Sequence, residues 1–446
     1  MADILPFSAL RYNVTKVWPA QVMTQPYDKI TPEMQERYYA SSPYNLVRVI
    51  LGKSHVGDND SNNVYTRAAA SLDEWQREGV LVRDPEPSIY VYAQRFRLPG
   101  DDTGAEIERR GFIALGRIED YDRQIVFRHE QTLSKPKADR LNLLRSTQAH
   151  CGQIFMLYSD PDDEVGRLLR PDGPPTTELR DEYGVLHRMW RVSDPATVAR
   201  AKAKMADKKL IIADGHHRYE TALNFRNEMR ANSGNAGAAT ESPYERVMMT
   251  FVNMDAPGLV ILPTHRVVFG LESFSIMELV SEAHRYFDVQ DIGPQTHIDQ
   301  AVRRLRHAGE KGTALLALTA HSAYLLSSRG NASEDKLAEL SEQQIALDVV
   351  QLHKLILEDI LEMSEEDIRT QKHLKYIRDA GEAAAEVQRG AAQVAFLMNP
   401  VRIGQMRDVA FSGQVMPQKS TDFYPKMLSG LTIYSLKAAA GSARIG

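Results

Sequence analysis

The chain has one cysteine, Cys151, in 446 residues. A lone thiol cannot close an internal disulfide or build a cysteine-based zinc cluster. In His150-Cys151-Gly152, just ahead of an apolar run, it reads as a buried spectator. A run of about 18 apolar residues, the length of a membrane-spanning helix, is also missing, so no membrane partner is expected. So is a surplus of positive charge: 54 Lys and Arg stand against 59 Asp and Glu, a net charge of −5. That balance argues against a nucleic-acid binder. The start, Met1-Ala2-Asp3-Ile4-Leu5-Pro6, has neither the basic opening nor the apolar core of a secretory leader, and a cytoplasmic address is expected. No repeat or long low-complexity segment is present.

What remains is ordinary globular material, 43% hydrophobic and 25% charged, long enough for two or three domains. Helical and alternating patterns are interspersed, which predicts an α+β fold. Residues 1–122 read as an N-terminal α/β segment, 123–270 as the core and 271–446 as a C-terminal α/β domain. Ile89 to Leu98 and Arg110 to Ile118 alternate and predict a β-hairpin with a long polar loop. Asn45 to Leu51 is apolar enough for a strand. Ala231 to Glu241, rich in Gly, Ala and Asn, reads as a mobile loop.

The densest chemistry lies in Leu210-Ile211-Ile212-Ala213-Asp214-Gly215-His216-His217-Arg218-Tyr219-Glu220. Three apolar residues, a turn signal and a helical pattern predict a strand breaking sharply into a helix. Asp214 is a suitable N-cap, and Gly215 leaves room for a ligand to approach the backbone. Tyr219, Ala222 and Leu223 fall on a core-facing side; Glu220 falls on the side expected to face water. His216, His217 and Arg218 stand at the positive end of the helix dipole, where cations cost roughly 0.3–1 kcal/mol. A bound anion reverses that cost, so the turn reads as an anion cradle. A purely structural turn and a histidine-ligated metal are the rival readings. Adjacent imidazoles point about 100° apart on a helix, which disfavours the second.

Other stretches supply chemistry that such a cradle needs. Asp28 lies in the Pro-anchored turn Pro26-Tyr27-Asp28. Glu130 closes the apolar run Ile125 to Phe127 and is the preferred carboxylate for proton transfer; Asp139 and Arg140 follow. His265 and Arg266 form a basic pair inside a strand. Late in the chain, Met416-Pro417-Gln418-Lys419-Ser420-Thr421, with Lys426 beyond, gives two ammonium groups and two hydroxyls, a combination that suits phosphate. It is not a Walker A loop.

These stretches, Pro26-Tyr27-Asp28, His129-Glu130 with Asp139-Arg140, Ala213 to Tyr219, Leu262 to Arg266 and Met416 to Thr421, resemble the prokaryotic family DUF1015 along nearly the whole length. Asp-Gly-His-His-Arg is also similar to the nucleotide-binding signature of the ParB/sulfiredoxin superfamily, which implies a ParB/sulfiredoxin-like mixed α/β core. In sulfiredoxins a catalytic cysteine stands where this chain has His216, so reductase chemistry is not implied. Partition proteins add a helix-turn-helix and a basic surface that this sequence lacks. Free serine kinases share the wording most closely, which implies nucleotide-dependent phosphoryl transfer to a small hydroxyl metabolite, with ATP or ADP (or another nucleotide) and Mg²⁺. In that reading Glu130, Asp214 and His217 are catalytic, and Gly215, His216, Arg218, Lys419, Ser420, Thr421 and Lys426 hold phosphate. Asp28, Arg140 and His265 are candidate substrate contacts, and one of Glu130, Asp28 and Asp214 would accept the hydroxyl proton or hold the magnesium. The alternatives are a non-catalytic nucleotide-binding regulator and a phosphoester hydrolase. The expected partner is a small phosphate or hydroxyl compound, with room for a homodimer.

Overall fold

The computed structural model describes residues 2–101, 103–130, 134–232, 242–293, 297–330 and 334–437. Most of the stretch read as a mobile loop, residues 233–241, lies outside the described residues. The chain divides into two compact units. The first comprises residues 1–128, 132–259 and 425–446, the second residues 129–131 and 260–424.

The first unit is built on a nine-stranded mixed sheet. Its strands are β1 (Ile4–Leu5), β2 (Ile89–Phe96), β3 (Ile107–Arg117), β4 (Val126–Phe127), β5 (Ile154–Tyr158), β6 (Thr177–Arg180), β7 (Leu186–Val192), β8 (Leu210–Asp214) and β9 (Arg246–Asn253). They lie in the order β4-β8-β5-β9-β3-β2-β7-β6, with β1 on β3. The alternating pair β2 and β3 forms the anticipated antiparallel hairpin, from Tyr90↔Ile113 to Phe96↔Ile107. β5 is apolar at every position because both its faces are covered, and it pairs parallel with β9. β1–β3 come from the segment 1–122 and β4–β9 from 123–270, so those two segments share one sheet and one core.

Four helices matter for the site: α1 (Val64–Arg77), α2 (Ser134–Thr147), α3 (Pro195–Met205) and α4 (His216–Asn232). Asn63 and Asp194 cap α1 and α3 with their side chains. The segment expected as a strand at Asn45–Leu51 is helical at Val47–Ile50. Asn45 Oδ1 accepts from Val47 N at 2.9 Å, an Asx turn that starts a helical turn. A short apolar run carries no period that would distinguish the two. Glu220 also departs from expectation: it is 7% exposed and paired with Lys137 of α2 and with Arg128 at 3.8 Å.

The second unit holds a six-stranded sheet, antiparallel throughout. It is made of β10 (His265–Val268), β11 (Phe287–Gly293), β12 (Ala314–Leu318), β13 (Ala323–Ser328), β14 (Leu374–Ile377) and β15 (Val394–Met398), in the order β11-β13-β12-β15-β10-β14. The run Leu259 to Phe269 breaks at Pro263: Val260–Leu262 pairs with Asp422–Tyr424, and β10 enters the sheet. The segment 348–360 begins as an α-helical turn at Asp348–Gln351 and continues as a π-helix over Leu352–Ile360. β11 gave no strand signal because it is a polar edge strand with its aspartates in water. Among the described residues no helix is long and apolar enough to cross a membrane. The mixed α/β class is as anticipated.

The position of α4 depends on a reciprocal contact. The fully buried Tyr219 hydroxyl donates to Glu119 O at 2.7 Å and accepts from Glu119 N at 2.9 Å. Tyr219→Phe leaves both backbone groups without that partner. It should lower the unfolding free energy by about 1–3 kcal/mol at unchanged urea m-value.

Candidate functional site

In the first unit β8 ends at Asp214 and α4 begins at His216, with Gly215 between them at φ +96°. Only glycine takes that backbone readily. A Cβ at Gly215 would also lie 3.0 Å from Arg218 Nε, because the Arg218 side chain folds back over the turn. The β8–β5 register slips between Ile212 and Asp214, a bulge that re-aims the last side chain of the strand.

Asp214 does not spend its carboxylate on the helix start. Oδ2 accepts from Arg218 Nη2 at 2.7 Å and Oδ1 from Lys426 Nζ at 3.3 Å. Lys426 arrives from the C-terminal return of the chain, 212 residues away in sequence. Burial alone would raise the Asp214 pKa; the positive charges of Lys426, Arg218 and Lys29 outweigh it and hold the carboxyl far below its usual range.

The return segment is fixed from beneath by Arg109, 1% exposed. Its guanidinium donates to Gln94 Oε1 and Pro425 O and lies 4.9 Å over the Phe155 ring. Gln94 Nε2 in turn donates to Lys426 O at 2.8 Å. Burial pushes the Arg109 pKa down to about 10, leaving it charged at neutral pH. Arg109 was not singled out from the sequence. Alternation in β3 carries no signal for it: Arg109 shares a side with Gly111, Ile113 and Leu115, while Arg110 shares the other with Phe112 and Ala114, which are just as buried.

Beside the turn opens a narrow cleft, continuous with solvent. Arg218 and Arg140 line it together with Tyr27 and an apolar wall that includes Ile50, Leu144 and Val247. Arg140 lies 4.2 Å over the Tyr27 ring and donates to Ile50 O at 2.6 Å. Arg218 Nη1 donates to Gln153 O at 2.5 Å. Cys151 also lines the cleft; burial raises its thiol to about 12, which makes it unreactive at neutral pH. Asp28 is exposed on the 3₁₀ turn Tyr27–Lys29. His216 is buried, 9% exposed, and His217 lies half-buried in the first turn of α4, its carbonyl accepting from Thr221 Oγ1 at 2.7 Å.

The remaining candidates belong to the second unit. Glu130 Oε1 accepts from Thr421 N at 2.8 Å and Thr421 Oγ1 at 2.7 Å, and Oε2 from Lys419 N at 3.3 Å. The Thr421 hydroxyl proton goes to Glu130, so His129 Nε2, 2.8 Å away, is the donor to Thr421 Oγ1. Ser420 is turned inward, 6% exposed, and donates to Pro417 O at 2.6 Å. The loop thus brings Lys419 and Thr421 to Glu130, while Ser420 serves the loop itself. His265 is 3% exposed in β10; Met398 N donates to its Nδ1 at 3.2 Å, and burial lowers its pKa to about 4. That makes it a neutral core imidazole rather than a surface contact. Among the described residues no group of three or more His, Cys, Asp or Glu side chains is placed to hold a metal ion.

The chain belongs to the family described as a protein of unknown function, DUF1015, whose pattern matches residues 4–350. No curated protein matches the sequence. Solved structures similar to it include a conserved hypothetical protein from Pyrococcus furiosus (12% identity, 69% of this chain and 91% of that one, TM-score 0.34). Another is a free serine kinase in complex with AMP (12%, 69% and 89%, TM-score 0.33). A third is SbnI with a C-terminal truncation from Staphylococcus aureus (11%, 73% and 90%, TM-score 0.36).

The depressed pKa of Asp214 has a consequence for acid stability. Its stabilisation is complete above the ordinary carboxylate pKa and is lost as pH falls through and below that value. Asp214→Asn removes this contribution. Its unfolding free energy should therefore fall less steeply than the wild type's below about pH 4 in urea titrations; parallel curves would show that the ion pairs contribute nothing.

Proposed function

We propose that the first unit binds a nucleotide in the cleft beside Gly215, and that the protein transfers a phosphoryl group from it to a small hydroxyl metabolite, as a free-serine-kinase-like enzyme. The observation that carries the binding step is the placing of two guanidinium groups, Arg140 and Arg218, on one open and otherwise largely apolar cleft. Apolar walls with a few placed charges suit a nucleoside, and guanidinium forks suit its phosphates.

The residues divide the work. Ile50, Leu144, Val247 and Tyr27 offer the surface against which a base would desolvate. Arg218, anchored by Asp214 and Gln153 O, presents its charge without first having to order its side chain. Phosphoryl transfer asks chiefly for positioning and charge neutralisation, which this arrangement supplies. Asp214 is suited to orienting cations, since a carboxylate held so far below its usual range is a weak base. Both its oxygens already face cationic nitrogens, so it does not fit the role of magnesium ligand either. The proton of the acceptor hydroxyl would then go to another carboxylate of the same unit, Asp28. That Asp214 is tied up favours one second reading, a nucleotide-binding regulator without an acceptor.

The test is calorimetric titration of AMP, ADP and ATP into the wild type and into Arg218→Ala and Arg140→Ala. Each loses charge-assisted bonds to phosphate, and each should weaken binding about tenfold or more. Undiminished affinity in both variants would sink the cleft assignment. Nucleotide turnover that requires an added hydroxyl compound separates the kinase from the regulator.

A further inference from the structure

We infer that the loop Gln418–Thr421 of the second unit is a binding site for a phosphate group, free or esterified, and that Glu130 is its built-in occupant. The inference is independent of the nucleotide cleft in the first unit.

Three donors of this loop converge on one anion: Lys419 N, Thr421 N and Thr421 Oγ1, at 3.3, 2.8 and 2.7 Å from the Glu130 carboxylate. The backbone takes an unusual path to make this possible. Lys419 is a non-glycine residue at φ +58°, the left-handed conformation that turns successive N–H groups to the same side. That the resulting hollow holds an anion is an observation, because a carboxylate occupies it.

A second feature gives the hollow a positive charge, which Glu130 feels at a distance without an ion-pair contact. Arg266 lies beneath the loop with 0% exposure. Its guanidinium donates to Lys419 O at 3.1 Å, Gln418 O at 3.2 Å and Thr264 O at 2.5 Å, and Nε points to His353 Nε2 at 3.3 Å. Its outer face lies 4.6 Å from the centre of the Tyr376 ring. Among the described residues no carboxylate lies within ion-pair distance of it. His353 cannot compete for the charge, because burial lowers its pKa well below the ordinary value and keeps it a neutral acceptor. Burial brings Arg266 itself down only to about 10, so it is cationic at neutral pH. A buried guanidinium bound only by neutral groups polarises the peptide units of residues 418 and 419. Both carbonyls point to the cation, and the N–H at the far end of the first of these peptide units, Lys419 N, is one of the donors to Glu130. Lys419 itself is exposed.

Glu130 fills this hollow incompletely. One oxygen has two short bonds, the other a single contact at 3.3 Å, and 14% of the side chain remains exposed. A phosphate brings more acceptor oxygens and up to twice the charge, so it can replace the carboxylate at the same donors. Phosphate entry and release of Glu130 are then one exchange. The measured affinity is the intrinsic affinity reduced by the fraction of time the hollow is open.

Glu130→Ala, which removes the occupant, should tighten the binding of inorganic phosphate, followed by calorimetry and ³¹P line broadening, by about tenfold. Glycerol 3-phosphate in a parallel titration distinguishes an esterified ligand from the free ion. Thr421→Val in the Glu130→Ala background should abolish the gain. Arg218→Ala should leave it intact, which separates this site from the nucleotide cleft. Binding by Glu130→Ala no tighter than by the wild type, with an unchanged circular dichroism spectrum, would overturn the exchange. A gain that survives Thr421→Val would place the phosphate elsewhere.

Discussion

The contact on which the first unit's chemistry depends is the pairing of Asp214 with Arg218 and Lys426. Arg218 stands at the start of a helix, where the dipole already offers positive potential. A guanidinium held there needs an anion nearby, and Asp214, re-aimed by the bulge in β8, is that anion. The same carboxylate ties down the C-terminal return of the chain through Lys426, whose carbonyl is held by Gln94, itself held by Arg109. Residues 94, 109, 214, 218 and 426 thus form one polar array on one face of the sheet, and the open cleft lies alongside it.

The strength of such an array is also a constraint. An exposed ion pair contributes little, because water screens it and both side chains must be ordered. Asp214 and Lys426 are largely withdrawn from water, at 20% and 9% exposure, and removing either partner leaves the other poorly solvated. The array therefore resists change, which suits a scaffold for guanidinium groups better than it suits a residue that must gain and lose a proton. This separates Asp214 from the catalytic role that its place in the motif suggests.

Much of this was legible in the sequence, for identifiable reasons. The strand-to-helix break at Asp214-Gly215 has a period change, a glycine and an apolar run, and all three are local signals. The hairpin of β2 and β3 follows from alternation. What could not be read locally was which distant residues meet. Lys426 stands close to Lys419 in sequence, yet the chain leaves the second unit at Tyr424, and Lys426 belongs to the first. Helical phase alone places Glu220 towards solvent; Lys137 and Arg128 make its burial tolerable. His265 and Ser420 looked chemically competent as residue types, and only their burial against Met398 N and Pro417 O shows them committed to structure.

The two units handle an internal anion in contrasting ways, and the contrast follows from what holds each carboxylate. Asp214 is held by charged side chains, so its departure would leave cations facing one another in a partly dry site. Glu130 is held by two peptide N–H groups and a hydroxyl, which are neutral and fixed by the loop whether or not an anion is present. Withdrawing Glu130 exposes donors that another oxyanion or water can satisfy, without leaving like charges in contact. The first arrangement preserves a set of cations in a fixed geometry; the second preserves a set of donors while remaining able to release what occupies them. Each spares its site the ordering cost that would otherwise fall on ligand binding, and the neutrality of the donors is what makes the Glu130 site the exchangeable one.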